Sequence, residues 1–458
     1  MTRKSLSRFA LSLGASWFAV TGCSRDMPTE PWPPNIDPIV FTDTFGAQVG
    51  FQAFGGSKLD ALSIDLTERH SGTSSLKFTV PAPGDPTGGY AGGAFVTSRG
   101  RSLAPYNALS FWVKASRPVS LETVGIGNDN TGTSKFEAKR TGIPVTTAWS
   151  QVLIPIPLSS KLTAEKGLFF LAEGPQAGSG LTLWVDDVQF VNSATITNPR
   201  PTLTSQTVTA LVGSTVDLQG ATRTTFAVGG LDQTVQHMSG YFTFASSDPA
   251  VASISSNTVR VLGAGSATIS AKLGTLEAAG SVTVNSASPP PTPAPTPTLS
   301  AADVISLFSD AYPSIAVDSW QKFGTTGITV ENYAFGSNAA KLYKRLNLGF
   351  VGVEFTTNQV NATLMTHFHL DVWAPTGSVF RVKLVDFGAD GVFGGGNDTQ
   401  HEIAFDATSS PPFAPGGWMS LDIPLTNFTG LTGRAHVAQL ILSGDTPIVL
   451  VDNVYFHK

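Results

Sequence analysis

The chain has 458 residues, enough for about three domains, and charged residues make up only 13% of it, about half the usual share. Its net charge of −5 comes without any basic block, so nucleic-acid binding is not expected. The single cysteine, Cys23, excludes an intramolecular disulfide and any site built on two Cys ligands.

The N-terminus reads as a targeting segment. Arg3, Lys4 and Arg8 precede an apolar stretch, residues 9–20, too short to span a bilayer comfortably. Val20-Thr21-Gly22-Cys23 then resembles a bacterial lipobox, although Val20 replaces the commoner Leu. That resemblance implies cleavage before Cys23 and acylation of its thiol, so residues 1–23 comprise a lipoprotein signal peptide and its lipobox. With Ser24 rather than Asp following, it also implies an outer-membrane or cell-surface position, the lipid being the only membrane attachment. Residues 24–37, with Pro28, Pro31, Pro33 and Pro34, read as an extended tether.

Residues 38–192 and 299–458 carry the same landmarks in the same order, the mark of a duplicated structural unit. Val185-Asp186-Asp187-Val188-Gln189-Phe190 closes the first and Val451-Asp452-Asn453-Val454-Tyr455-Phe456 the second. Leu109-Ser110-Phe111-Trp112-Val113-Lys114 matches Phe368-His369-Leu370-Asp371-Val372-Trp373, and Trp149 leading to Ile156-Pro157-Leu158 matches Trp418 leading to Ile423-Pro424-Leu425. Apolar and polar residues alternate within these runs, the period of a half-buried strand. Helical periodicity is weak; only residues 301–309 suit a short helix.

On these landmarks each module resembles the galactose-binding-like jelly roll of many carbohydrate-binding modules. The last module, with Val385-Asp386-Phe387-Gly388-Ala389-Asp390-Gly391, further resembles modules attached to secreted bacterial β-glucan hydrolases. Between them, residues 199–286 hold Phe244-Ala245-Ser246-Ser247-Asp248-Pro249-Ala250-Val251-Ala252 and Gly263-Ala264-Gly265-Ser266-Ala267-Thr268-Ile269. These resemble the bacterial Ig-like group 2 domain, which implies a β-sandwich spacer whose residues 203–218 form an edge strand and first hairpin. Residues 287–298, with Pro289-Pro290-Pro291-Thr292-Pro293, read as a stiff polyproline linker. The expected fold is all-β: two jelly rolls and one Ig-like sandwich.

Strand parity selects the candidate sugar contacts. With Leu109, Phe111 and Val113 inward, Trp112 and Lys114 face out; with Phe368, Leu370 and Val372 inward, His369, Asp371 and Trp373 face out, and Arg381 with Lys383 share that parity on a following strand. Flat indoles suit the C–H faces of sugars and planar polar groups suit hydroxyl pairs. The same indoles also serve as ordinary packing residues, and Trp149 and Trp418 are expected to do so. Tyr90 and Tyr343 are further candidates.

For metal, the jelly-roll resemblance implies a structural calcium ion held by Asp186 and Asp452 of the closing strands, with Asp43 and Asp310 as the acids from the first strands. Asp386, Asp390 and Asp398 form a separate acidic set in a glycine-rich loop, equally readable as a solvated hairpin. Gly-x-Ser-x-Gly, His-Glu-x-x-His and the phosphate-binding loop are all missing. The best reading is a non-catalytic surface lipoprotein that binds polysaccharide. A glycoside hydrolase with an unrecognised site, or its accessory protein, and a structural or adhesive protein without a sugar ligand are the alternatives.

Overall fold

The computed structural model describes residues 34–458 apart from 219 and 256–257, so Cys23 and the lipobox lie outside the described residues. The described chain is all-β, its helical turns being short 3₁₀ segments.

The first module is two sheets. One runs Ser150–Pro155, Ala108–Ala115, Leu181–Val191, Ser75–Val80, Leu62–Asp65, with Ile39–Phe41 also pairing on the closing strand Leu181–Val191. The other starts with Val49–Ala53, Ala91–Arg101, Glu165–Glu173, Thr123–Ile126 and Ala138–Arg140. The last module repeats both orders. Its first sheet runs Trp418–Pro424, His367–Trp373, Ile448–His457, Asn338–Lys344, Thr329–Phe335, with Val304–Phe308 on the closing strand Ile448–His457. Its second runs Ser319–Gly324, Phe350–Glu354, Val437–Gly444, Phe380–Asp386, Thr399–Phe405. The alternation places the core as expected: Leu109, Phe111 and Val113 in one module and Phe368, Leu370 and Val372 in the other are fully buried between their sheets. Even the irregularity is duplicated. Asp187 and Asn453 both take positive φ, 49° and 51°, at a bulge in their closing strands.

Three local expectations are corrected. Residues 301–309 form a 3₁₀ turn, Ala301–Asp303, and then a strand, because Val304 to Phe308 pair with the closing strand from His457 to Val454. Within residues 203–218 no hairpin forms: Gln206–Leu211 pairs in parallel with Val282–Ala287, whereas Thr215–Asp217 pairs in a different sheet with Thr258–Val261. The middle unit is also no separate spacer. Its strands Leu231–His237, Thr222–Val228 and Ile196–Leu203 continue the first module's second sheet through the pairs Gln236–Lys139 and His237–Ala138, making eight strands. The two units share one hydrophobic core, sealed by the buried Tyr241, whose hydroxyl donates to the Phe136 carbonyl at 2.7 Å.

The proline linker does not stand free either. Trp418 Nε1 donates to the Thr292 carbonyl at 2.9 Å, Asn453 Nδ2 donates to the Pro295 carbonyl at 3.1 Å, and Ala294 is buried. Its residues lack N–H donors at each proline, so side chains of the last module supply donors to its carbonyls.

Candidate functional site

A groove of about 790 Å³ lies on the outer face of the last module's second sheet. Strand pairing writes its floor as three cross-strand rows. The first is Glu354–Gln439–Val385–Gln400, the second Gly352–Ile441–Lys383–Glu402, and the third Phe350–Ser443–Arg381–Ala404. The inward neighbours of these residues, among them Val351, Val353, Val382, Leu384, Leu440 and Leu442, are buried in the core, so the period of two forces the polar set outward.

Phenylalanines wall this polar floor. Phe323 pairs with Gly352 and its ring lies over that glycine; Phe350 sits beside it, ring centroids 6.5 Å apart. At another part of the lining, the loop before Thr399–Phe405 brings up Phe393, which is exposed and packs at a tilt on Phe387, ring centroids 5.5 Å apart. Inside, Glu354 pairs with Lys322 at 3.4 Å and Glu402 with Arg381 at 3.7 Å. Exposed aromatic plates beside a ladder of amides, carboxylates and cations suit a ligand with apolar C–H faces and equatorial hydroxyls.

Of the residues singled out in the sequence, Arg381 belongs to this groove. It does not share a face with His369, Asp371 and Trp373, because its strand lies in the opposite sheet. Trp373 is not presented to solvent. It is 2% exposed, packed with Leu211 of the middle unit and with Leu342, Ile448 and Leu450. His369 stacks on Tyr455 at 4.4 Å, and Asp371 accepts from Asn453 Nδ2 at 2.8 Å; both are buried and line a small cavity with linker residues 295–298. In the first module Trp112 has one face covered by His70, stacked at 3.8 Å and 12°, while Lys114 pairs with Glu68 at 2.7 Å. Trp149 and Trp418 are both half-buried, Tyr343 is fully buried with its hydroxyl donating to the Trp320 carbonyl, and Tyr90 donates to the Gly55 carbonyl.

The first module's equivalent face is crossed by the loop 127–137. Asn130 Nδ2 reaches the Ala53 carbonyl at 3.3 Å, and the outward residues Ala94 and Phe170 are buried. What stays open is a polar groove of about 460 Å³ lined by Gln48, Gln52, Asp129, Thr131 and Lys166 among others.

The acids proposed for calcium divide by whether their oxygens are already engaged. Asp186 accepts from the backbone N–H groups of His70 (2.8 Å), Ser71 (3.2 Å) and Asp187 (2.7 Å), and Asp43 accepts from those of Thr73 and Ser74. Asp386 is equally spent on Gly388 (2.9 Å) and His436 (2.7 Å). Asp390 and Asp398 cap Val392 and Gly394, so this loop is built as a hydrogen-bonded turn, with Asp398 Oδ1 left buried without a partner. Asp452 differs. It is fully buried, its Oδ1 accepts from the Asn453 N–H, and its Oδ2 has no partner. Burial, with Asp310 and Asp371 adding to it, pushes its carboxyl up to about 7. An orphaned buried oxygen beside two more carboxylates fits a hard cation; the satisfied Asp186 does not. Among the described residues no group of three or more His, Cys, Asp or Glu is already gathered as a metal ligand set.

The sequence reading missed Phe323, Phe350, Phe393, Lys322, Glu354, Gln439 and Glu402. The alternation in Arg381-Val382-Lys383 and Gln400-His401-Glu402 was the available signal, since it lines up polar groups on one strand face.

Comparison with known proteins bears on the first module most directly. Residues 37–192, about a third of the chain, match the family model described as carbohydrate binding domain 30. No curated protein sequence matches the chain. Among solved structures, a family 11 carbohydrate-binding module from Clostridium thermocellum, in complex with a β-1,3-1,4-mixed-linked tetrasaccharide, is 12% identical, covering 35% of this chain and 98% of its own, with a TM-score of 0.26. The family 30 module of a cellulosomal cellulase of Clostridium thermocellum is 18% identical, covering 35% and 95%, with a TM-score of 0.24. A tandem of two family 22 modules from Paenibacillus barcinonensis is 12% identical, covering 93% and 99%, with a TM-score of 0.21. Overlaps with TM-scores this small carry no functional argument; the family match rests on residues 37–192 alone.

Proposed function

We propose that this chain binds a neutral β-linked glucan without cleaving it, holding the polymer in the groove of the last module. The observation that carries this is the pairing of Phe323 and Phe350 with the polar rows that end in Gln400 and Glu402. Sugar rings stack on the phenyl faces while their hydroxyls meet Gln439, Lys383, Arg381 and the two glutamates. The match of residues 37–192 to a carbohydrate-binding family supports the same ligand class.

The groove's carboxylates argue against hydrolysis. Glu354 and Glu402 stand on strands separated by two others, which puts them roughly 14 Å apart across a sheet. A glycosidase pair lies within about 10 Å, with one member kept protonated. Here each carboxylate is paired with a cation, Lys322 or Arg381.

Two further elements belong to this proposal. Asp452, with Asp310 and Asp371 beside it, would hold a structural calcium ion that stiffens the closing strand. An acylated Cys23 would tie the chain to the cell surface, a reading supported by the residue pattern from Arg3 to Cys23.

The test is affinity electrophoresis of the purified chain in gels containing mixed-linkage β-1,3-1,4-glucan. Retardation that Phe323→Ala/Phe350→Ala abolishes supports the proposal. Release of reducing sugar, or unchanged mobility across neutral glucans, defeats it.

A further inference from the structure

A line of alternating cations and indoles crosses the outer face of the first module's other sheet, away from the groove just described. Lys77 pairs with Trp184 and Trp184 pairs with Lys114; Trp149 comes next, one residue before the Ser150–Val113 pair. The Lys114 ammonium sits between two indoles, 5.2 Å from the Trp184 centroid and 6.0 Å from that of Trp149. It is held there by Glu68 at 2.7 Å. Trp184 Nε1 donates to Asp65 Oδ2 at 2.9 Å, and Lys77 lies 3.7 Å from the same carboxylate. Both cations are therefore matched by acids, and both indoles remain partly exposed.

The duplicated module shows what this face becomes when protein covers it. Strand pairing makes Leu342–Leu450–Trp373–Trp418 the counterpart, position by position, of Lys77–Trp184–Lys114–Trp149. There the line is apolar, and Leu342, Leu450 and Trp373 are buried with Leu211 of the middle unit, Trp418 packing against them. In the first module lysines stand where Leu342 and Trp373 stand in the last, and both indoles stay partly exposed, Trp149 with the edge-on His70 ring 5.9 Å from it. The copy that protein buries carries Leu342 and Trp373 at these positions; the other copy carries lysines beside indoles, a combination that suits a wet, polar ligand with apolar ring faces.

We infer that Lys77, Trp184, Lys114 and Trp149 form a second polysaccharide-binding surface. It takes an extended neutral glycan whose sugar rings lie on the indoles while hydroxyls meet the two ammonium groups and their carboxylates. Trp112 stands beside this line but is capped by His70. The inference shares the ligand class of the proposed function but rests on a different sheet and different residues.

The two sites separate experimentally because the groove's lining contains no tryptophan. The probe is soluble mixed-linkage β-1,3-1,4-glucan, read by tryptophan emission and by affinity electrophoresis on the full chain. A glucan-dependent emission shift that survives in Phe323→Ala/Phe350→Ala and disappears in Trp149→Ala/Trp184→Ala supports the second surface. Trp149→Ala alone, at a strand entrance, guards against misfolding and is expected to weaken the response at least several-fold. Retardation without any emission shift, abolished by the phenylalanine variant, overturns the second surface and leaves the groove standing. Retardation lost only in the tryptophan variants overturns the groove instead. No binding by any variant or the parent overturns both. A concentration-dependent dimer that the tryptophan variants dissociate also overturns the inference, assigning the face to a second copy of the chain.

Discussion

The ring of Phe323 lies so close to Gly352 that a Cβ on that glycine would fall 2.3 Å from the ring. Glycine is required there by the approach of a neighbouring side chain, and the consequence is a phenyl face laid flat on the floor of the groove. Gly352→Ala is expected to tilt the ring off the floor and reduce glucan affinity roughly tenfold, equivalent to about 1.4 kcal/mol. Because Phe323 is on an edge strand and partly exposed, the ring has somewhere to go, so thermal stability should change little. Affinity and melting temperature measured on the same sample check this. An unchanged affinity would show that Phe323 does not touch the polymer.

Trp373→Ala should act in the opposite manner. The indole fills the seam between the middle unit and the last module, against Leu211, Leu342 and Leu450, and faces away from the groove. Truncating a buried Trp costs about 3–5 kcal/mol. The variant should melt earlier yet bind glucan with parental affinity once the folded fraction is accounted for. A selective loss of affinity at unchanged stability would return Trp373 to the binding surface.

Much of this architecture was legible from residue order. Alternation in Leu109–Val113 and Phe368–Val372 identified the core faces, and the repeated closing phrase carried even the shared kink at Asp187 and Asn453. Parity, however, says only which side of its own strand a residue takes. It placed Arg381 outward without saying that outward meant the other sheet from His369. Nor does a strand's pattern reveal what packs on its outer face: Leu211 and the proline linker, far away in sequence, decide that Trp373, Asp371 and His369 are covered. The groove was missed for a related reason. Its row members Gly352, Lys383 and Glu402 come from separate strands and are brought together only by register. The middle unit's fusion to the first module, through the strand pairs at Lys139 and Ala138 and the shared core behind them, joins residues about a hundred positions apart and leaves no mark in composition.

Stability should depend on pH through Glu173. This side chain is fully buried; burial, with Glu122 adding to it, raises its carboxyl from 4.5 to about 7, against the hydrogen bonds from the Glu122 N–H and from Gln176. Below about pH 4.5 it is protonated folded and unfolded alike and costs nothing. Between about 4.5 and 7 the unfolded chain gives up the proton and the folded one keeps it, so stability falls as pH rises. Above that window the penalty is complete, on the order of 3 kcal/mol. Denaturant titrations at pH 5 and pH 8 should show the decline, and Glu173→Gln should flatten part of it. Glu165, also raised to about 7 by burial, supplies a further share. A slope identical in the variant would remove Glu173 from the account.

Calcium should be felt at Asp452 and not at Asp186. The two residues hold the same place in duplicated closing strands, but Asp186 has spent both oxygens on the backbone of residues 70, 71 and 187, whereas Asp452 Oδ2 is buried with nothing to accept from. A cation bound only by the folded state adds about 2.7 kcal/mol at a hundred times its Kd. Calcium should therefore raise the melting temperature of the full chain, and a chelator should reverse the gain. Asp452→Asn should abolish the response while losing little stability in chelator, because the substitution removes a buried charge that no partner offsets. Asp186→Asn should instead lower the melting temperature with and without calcium by the same amount, since it weakens backbone hydrogen bonds that hold the loop at His70 and Ser71. A calcium response that survives Asp452→Asn would assign the ion to other carboxylates.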